Sequence, residues 1–220
     1  MTTPATPMFP LQSALLPGDI LPLRIFEPRY ARLVGDCLAA DDLAFGVVMI
    51  SRGWEVGGGD ARSDVGAMAR IEQHVDLGDG QHELIAVVGE RIRVLRWLPD
   101  DPYPRAVVQP WPDEPGRPVG PEQLSVVVDR ILALYQRVAQ VRGMELRPDA
   151  LAVEADVAED HFRHLYALAS RVPIGQADRY AMLAAPTLAE RIDALLDAVD
   201  TVAAMVEFQL SDPNPDAEPD

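Results

Sequence analysis

The sequence predicts an α+β protein whose first half is built of short strands and whose second half is helical. Before residue 115, runs rich in β-branched residues are separated by Gly, Pro and Asp, a pattern typical of strands and turns. After residue 115, apolar residues recur with the helical period. The change in pattern predicts a β subdomain over residues 8–115, a helical subdomain over 116–210 and an acidic, disordered tail over 211–220.

Six strands are expected in the first half. The stretch from Asp76 to Gly80 contains residues that tolerate positive φ, so it predicts a hairpin turn between two of them. Strands with mostly non-helical connections indicate a small barrel or a strongly curled sheet. The predicted strands span residues 20–25, 44–51, 65–75, 82–89, 91–98 and 103–109.

One helix is predicted among the strands. It begins at Pro28, because proline suits the first helical position, where an amide hydrogen would have no partner. Asp41 and Asp42 end it. The only cysteine, Cys37, lies on its apolar stripe, which predicts a buried thiol and excludes an internal disulfide framework.

Four helices are expected in the second half. Pro121 opens the first of them. Asp156 with Glu159, and Thr187 with Glu190, have the spacing of capping boxes and predict two further helix starts. The predicted helices span residues 121–142, 156–170 and 176–185, with the last one following Thr187.

The charge of the chain excludes several functions. There are 35 acidic and 19 basic residues, giving a formal net charge of −16, and every basic residue is an arginine. The absence of lysine excludes the P-loop lysine, a Ser–Lys dyad and Schiff-base chemistry within this sequence. The negative charge argues against nucleic acid and anionic membranes as partners. We expect no cofactor.

The N-terminal segment MTTPATPMFPLQSALLPG has no basic region and contains four prolines. It therefore resembles neither a secretory signal nor a membrane anchor. No uninterrupted apolar run approaches the ~20 residues of a membrane helix. These observations predict a cytoplasmic protein of bacterial type.

The best metal-ligand candidates are His161 and His164, one helical turn apart beside Glu159 and Asp160. The common metal-binding helix instead uses a spacing of four residues and a distant third ligand. Solvated or capping roles are therefore favoured, with a small metal-dependent hydrolase as the alternative.

Two other histidines, His74 and His82, lie across the predicted hairpin, where they can pair as surface residues.

Trp54 precedes the glycine-rich loop Gly57–Gly59, which has neither a lysine nor a following helix start. An indole on such a loop offers apolar area and one donor to a ligand, or it folds back onto the strands. Arg24, Glu27 and Arg29 flank a strand-to-helix junction. They either brace the loop by ion pairs or present a polar rim to an extended peptide.

The segment from Met8 to Ser51 resembles the opening of the Lon protease N-terminal domain family. It carries the FPL start, the LLPG turn, the IFEPRY core and the DCL and FGVV segments. The segments VGAMARI, GERIRV and MLAAPTLAERIDALLDAV are similar to later parts of that family, so the resemblance spans residues 8–208. Gln81 and Ile92 depart from the family pattern, where arginine and phenylalanine are frequent.

The resemblance implies a PUA-like β pseudo-barrel with one inserted helix, followed by an α-helical bundle. It also implies a stand-alone, non-catalytic module that recognises exposed polypeptide segments or a protein partner, without ATPase or peptidase domains. Arg24, Glu27, Arg29 and Trp54 are the candidate contact residues. RNA binding remains an alternative by fold analogy alone. The sequence leaves the ligand and the oligomeric state open.

Overall fold

The computed structural model describes residues 5–40, 42–52, 61–147, 151 and 160–211, in which there are six strands and five helices. The strands are β1 (Thr6–Leu11), β2 (Ile20–Ile25), β3 (Ala44–Arg52), β4 (Ala61–Gly78), β5 (Gln81–Leu98) and β6 (Arg105–Pro110). The helices are α1 (Pro28–Ala39), α2 (Pro121–Arg142), α3 (His161–Ala169), α4 (Gln176–Ala184) and α5 (Leu188–Ser211).

Contacts divide the chain into two units. The first contains Met1–Glu114 and Arg179–Ala184, and the second contains Pro115–Asp178 and Ala185–Asp220. All six described strands lie in the first unit, together with α1. The combination of one mixed sheet with separate helices confirms the α+β class.

Five of the strands close into a ring. β1 pairs parallel with β3 and antiparallel with β6, and β4 pairs with both β3 and β5. β5 also pairs with β6, which completes the ring β5–β4–β3–β1–β6. β2 stands outside the ring as an antiparallel partner of β5.

β4 and β5 are 18 residues each, long enough to extend beyond the ring. The extension, which we name the arm, consists of β2 with residues 71–78 of β4 and 81–87 of β5. The turn at its tip has positive φ at Gly78, Asp79 and Gly80, as the sequence predicted. A bulge between Ile71 and Gln73 shifts the pairing at the base of the arm.

Apolar side chains cover both faces of the ring strands. Val47 and Ala67 belong to a cluster that also contains the buried residues of α1. Their sequence neighbours Val48 and Met68 belong to a second cluster with Met8. Because side chains alternate between faces along a strand, the two clusters lie on opposite sides of the sheet.

α1 begins at Pro28 and buries the predicted stripe, including Cys37. The Sγ atom of Cys37 donates to the carbonyl oxygen of Ala44, 3.5 Å away, and burial raises the pKa of this thiol to about 11. A protonated thiol at neutral pH is a poor nucleophile. Cys37 therefore serves packing rather than chemistry.

Two arginines fix residues 179–184 within the first unit. The fully buried guanidinium of Arg91 donates to the carbonyl oxygen of Leu183 (2.9 Å) and to Asp113 (2.7 Å), and it stacks on Trp111. Arg179 donates to the carbonyl oxygen of Ala14 (2.9 Å) and to Asp19. Pairing and hydrogen bonding offset the desolvation cost of these cations.

In the second unit, α2 and α5 run parallel along one apolar seam. Arg130 pairs with Asp200 and Arg137 with Glu207, so a step of seven residues on one helix matches seven on the other. The buried residues follow the alternating three- and four-residue spacing of a coiled-coil seam. They are Leu124, Val127, Ile131 and Leu134 on α2, and Ile192, Leu195, Val199 and Val202 on α5.

The structure differs from the predicted secondary structure in several places. β1 was not predicted, and its sequence contains Pro7 and Pro10, a residue type that is uncommon inside strands. Residues 82–89 and 91–98 form the single strand β5, which continues past Gly89 across an irregular pairing. The helix that ends at Ala169 begins at His161 with Asp160 as its N-cap, and the predicted capping box of Asp156 and Glu159 lies outside the described residues.

Replacing Tyr103 by Phe tests the link between the segment before β6 and α1. The Tyr103 hydroxyl donates to Asp36 (2.8 Å), which lowers the pKa of Asp36, while burial and this bond raise the pKa of Tyr103 to about 12. Because the pKa of Asp36 is lowered, its ionised carboxylate contributes stability when the pH is above the ordinary pKa of an aspartate. That contribution is lost as the pH falls through the lowered pKa. We expect Tyr103→Phe to cost about 1 kcal/mol of unfolding free energy by urea denaturation.

The pH dependence provides the control for this variant. The raised pKa of Tyr103 contributes stability fully below pH ~10, and this contribution is lost as pH rises through about 12. Tyr103→Phe should therefore flatten the loss of stability at both acid and alkaline pH. An unchanged pH profile would show that the bond contributes nothing in solution.

Two glycines provide a matched test of the packing. A Cβ atom on Gly66 would lie 2.1 Å from the carbonyl oxygen of Val47, whereas one on Gly35 in α1 would meet nothing within 4 Å. Gly66→Ala should lower the unfolding free energy by about 1–3 kcal/mol. Gly35→Ala should raise it by about 0.5–1 kcal/mol through helix propensity. Equal effects in urea denaturation would contradict the close approach of β3 and β4.

Candidate functional site

A groove of about 450 Å³ lies on the arm. We name it the arm groove. Three consecutive residues from each of three neighbouring strands line it. These are Pro22, Leu23 and Arg24 of β2, Glu83, Leu84 and Ile85 of β5, and Gln73, His74 and Val75 of β4.

The strand register sorts the lining residues into two rows that share one face. Pro22 pairs with Ile85, which pairs with Gln73. The next row consists of Arg24, Glu83 and Val75. Because directly opposed residues share a face, each row crosses all three strands. The face therefore has apolar side chains in both rows and two opposite charges in the second row.

Exposed apolar side chains extend this face toward the ring. Ile20 pairs with Val87 one row beyond Pro22 and Ile85, and Ile20 is 68% exposed. Val75 is 53% exposed. A contiguous group of exposed apolar residues on a folded domain marks an interaction surface more often than isolated ones do.

Arg24 is the predicted contact residue that the structure places in this groove. Its side chain is exposed and lies in the same row as Glu83, and it forms no ion pair with any described carboxylate. It offers five N–H donors to a bound group, while Glu83 offers an acceptor. The row can thus orient a polar backbone or a charged side chain.

Glu27 and Arg29 are arranged differently. Their side chains pair at 3.0 Å, and they are only 21% and 18% exposed. The guanidinium of Arg29 also lies 4.5 Å from the ring centre of Tyr30. The Glu27–Arg29 ion pair holds the turn that leads into α1, which is the bracing role that was one of the two predicted for these residues.

The other candidate residues lie outside the described residues or form no metal site within them. Trp54 and Gly57–Gly59 lie outside the described residues, as does the side chain of His161. His164 lies in α3, where its amide donates to the carbonyl oxygen of Asp160 (2.8 Å). Across residues 5–40, 42–52, 61–147 and 160–211, no group of three or more His, Cys, Asp and Glu side chains is placed to hold a metal.

His74 and His82 are in contact, as their positions across the hairpin suggested. His74 Nε2 lies 3.1 Å from His82 Nδ1. Both rings are half-buried rather than fully exposed.

Sequence reasoning missed the apolar members of the arm groove, notably Pro22, Val75 and Ile85. Each occupies an outward position of a strand, where a polar residue is expected. Apolar residues at these outward positions, where the alternating pattern calls for polar ones, were the feature of the sequence that could have identified the groove. It was not usable without the register that brings the three strands together.

A second groove lies in the helical unit. It has a volume of about 330 Å³ and an almost wholly apolar lining, formed by the C-terminal turns of α2, residues 144–146, Pro173 and α5. Its members Val138 and Val206 continue the α2–α5 seam. It is therefore the open end of a helix interface.

None of the helices in the described residues is both long and apolar enough to span a membrane.

The sequence of this chain is similar to the sequences of Lon proteases. The chain is 27% identical over 199 residues to Lon protease 2 of Myxococcus xanthus, and 26% identical over 202 residues to Lon protease of Anaeromyxobacter dehalogenans (strain 2CP-C). Each alignment covers 88% of this chain and 23% of the relative. The chain thus spans about a quarter of the length of these relatives.

Structural comparison gives the same result. The Lon N-terminal domain protein from Xanthomonas campestris superposes with a TM-score of 0.60 at 26% identity, covering 88% of this chain and 98% of that one. The N-terminal domain of Mycobacterium avium complex Lon protease shares the fold with a TM-score of 0.56 at 16% identity, covering 90% and 98%. A family model described as the ATP-dependent protease La (LON) substrate-binding domain matches residues 5–201. The chain therefore belongs to the Lon substrate-binding domain family.

Proposed function

We propose that this chain is a non-catalytic module that captures exposed polypeptide segments in the arm groove. The observation that carries the proposal is a groove that crosses three strands and places exposed apolar side chains beside two opposite charges. Membership of a substrate-binding domain family supports the same role. The link to proteolysis rests on that family and on the Lon proteases that the chain resembles.

An extended segment suits this groove better than a compact ligand does. Alternate side chains of an extended peptide point to one side, so they can follow the apolar positions Pro22, Ile85 and Val75. β2 is the terminal strand of the sheet order and has no described partner on its outer side. Its free backbone groups add a second means of binding an extended chain, by strand addition.

Charge determines which segments are favoured. The chain has a net charge of −16, which attracts basic segments over long distances. Within the groove, Arg24 and Glu83 lie side by side, so local recognition has both signs. We assign Arg24 to contact with the bound segment and the Glu27–Arg29 pair to holding the junction. Trp54 remains a predicted contact.

The remaining assignments complete the proposal. The closed strand ring is consistent with a PUA-like pseudo-barrel, and the α2–α5 seam with a helical bundle. Because this sequence has no lysine, any ATP hydrolysis or Ser–Lys peptide cleavage must come from residues outside it. The proposed partners are polypeptides in the cytoplasm, not nucleic acid or membrane.

Removing apolar side chains from the arm groove should weaken capture. The double variant Val75→Ser/Ile85→Ser removes two apolar side chains from the groove and should raise the Kd for an unfolded polypeptide at least about tenfold. Fluorescence anisotropy with labelled unfolded polypeptides measures this directly.

Leu95→Ser is the matched control for that variant. Leu95 is also an exposed apolar residue of β5, 54% exposed, but it lies outside the arm groove. Its replacement should leave the Kd within about twofold. Equal weakening by both variants would refute the groove as the binding site, and so would no weakening by either.

The two charges in the groove should shift peptide preference in opposite directions. Glu83→Gln should weaken binding of a basic peptide and Arg24→Gln should strengthen it, each measured against a neutral peptide of equal length. The differences should shrink as salt rises from about 0.01 M to about 0.15 M, because the Debye length falls from about 30 Å to about 8 Å. A shift in the same direction for both variants would indicate a structural effect instead of charge recognition.

A further inference from the structure

Two imidazole rings meet on the face of the arm that carries Leu84 and Ile25, and one of the two residues, His74, is also among those that line the arm groove. His74 pairs in register with Leu84 and His82 with Ile25, and both Leu84 and Ile25 belong to the core cluster that packs on α1. The bulge between Ile71 and Gln73 places His74 on this face, because one residue fewer would reverse its direction. The ring centres are 5.1 Å apart.

We propose that His74 and His82 chelate a divalent transition-metal ion, of the class Zn²⁺, Ni²⁺ or Cu²⁺. Imidazole nitrogen is a preferred ligand for these ions. At zinc–nitrogen distances of about 2.0–2.1 Å, two nitrogens at a tetrahedral angle lie about 3.3 Å apart. His74 Nε2 and His82 Nδ1 are already 3.1 Å apart, so a small rotation of either ring suffices.

The metal takes the place of a shared hydrogen. In the hydrogen-bonded pair of neutral rings, one of the two facing nitrogens donates and the other accepts. When a metal binds both, the hydrogens lie on His74 Nδ1 and His82 Nε2, the two outer nitrogens. This change of tautomer releases no proton from the neutral pair, whereas a protonated pair must lose its extra proton first.

The two rings supply only part of the coordination shell. Asp76 pairs in register with His82, but its Oδ1 atom accepts the amide hydrogen of Gly78 (2.8 Å) within the turn. No third ligand joins the pair among the described residues, so water occupies the other positions. We therefore expect weaker binding than at a closed structural zinc site.

A bound ion would join β4 to β5 just beyond the bulge. Binding to the folded state alone raises the thermal midpoint, and the rise grows with the logarithm of the free metal concentration once that concentration exceeds the Kd. The histidine pair shares His74 with the lining of the arm groove, but it includes neither Val75 nor Ile85, the two residues changed to test polypeptide capture. Metal binding and polypeptide capture can therefore be measured separately, and failure of one does not imply failure of the other.

Isothermal titration of chelator-treated protein with Zn²⁺ near neutral pH tests the proposal. The wild type should bind one ion per chain. His74→Gln and His82→Gln should each weaken it at least about tenfold, because even loss of a ligand's hydrogen-bond partner costs about 10- to 100-fold. The control His161→Gln/His164→Gln removes the other two of the four histidines and should bind normally.

Three results would overturn the proposal: no saturable binding by the wild type, normal binding by both single variants, or loss of binding in the control. Zn²⁺ should also raise the thermal midpoint of the wild type and control but not of the two single variants. Should a variant fail to fold, proton NMR of the wild type decides the question. Zn²⁺ must then shift the ring signals of His74 and His82 and leave those of His161 and His164 in place.

Discussion

Pairing between β4 and β5 is the interaction on which the rest of the first unit depends. The two 18-residue strands belong to the closed ring along one part of their length and to the arm along the other. β3 attaches to β4, while β2 and β6 attach to β5. If the register between the two long strands shifted by one residue, each side chain of the shifted strand would move to the opposite face of the sheet. The shift would disrupt the two core clusters and the arm groove at the same time.

The helical half of the fold was predictable because its signals are local. Pro121 and Thr187 begin helices where the sequence indicated, and the apolar spacing of α2 and α5 marks their shared seam. The start of α3 at Asp160 was less predictable, because Asp156 and Asp160 are both suitable caps. Local propensity does not choose between two such starts.

The strands were predicted in part, and the errors have a common cause. Pro7 and Pro10 disfavour a strand by every local rule, yet β1 is held between β3 and β6. Gly89 and Glu90 look like a turn, but pairing with β4 resumes at Arg91, so the strand continues. Arg24 was identified as a candidate contact from sequence, whereas Ile85 and Val75 required the register. Tertiary pairing overrides local preference in each case.

The arm also carries two features that disfavour pairing with an identical chain. A three-stranded sheet outside a closed ring has two open sides, and open sides are templates for pairing with identical chains. Pro22 lies in β2, where proline is compatible with the ladder only if its missing N–H faces away from β5. Glu72 and Asp76 place negative charge along the exposed length of β4. The outer edge of β2 thus lacks one of its donors, and the negative charge along β4 repels an identical chain, so both features disfavour self-association through the arm.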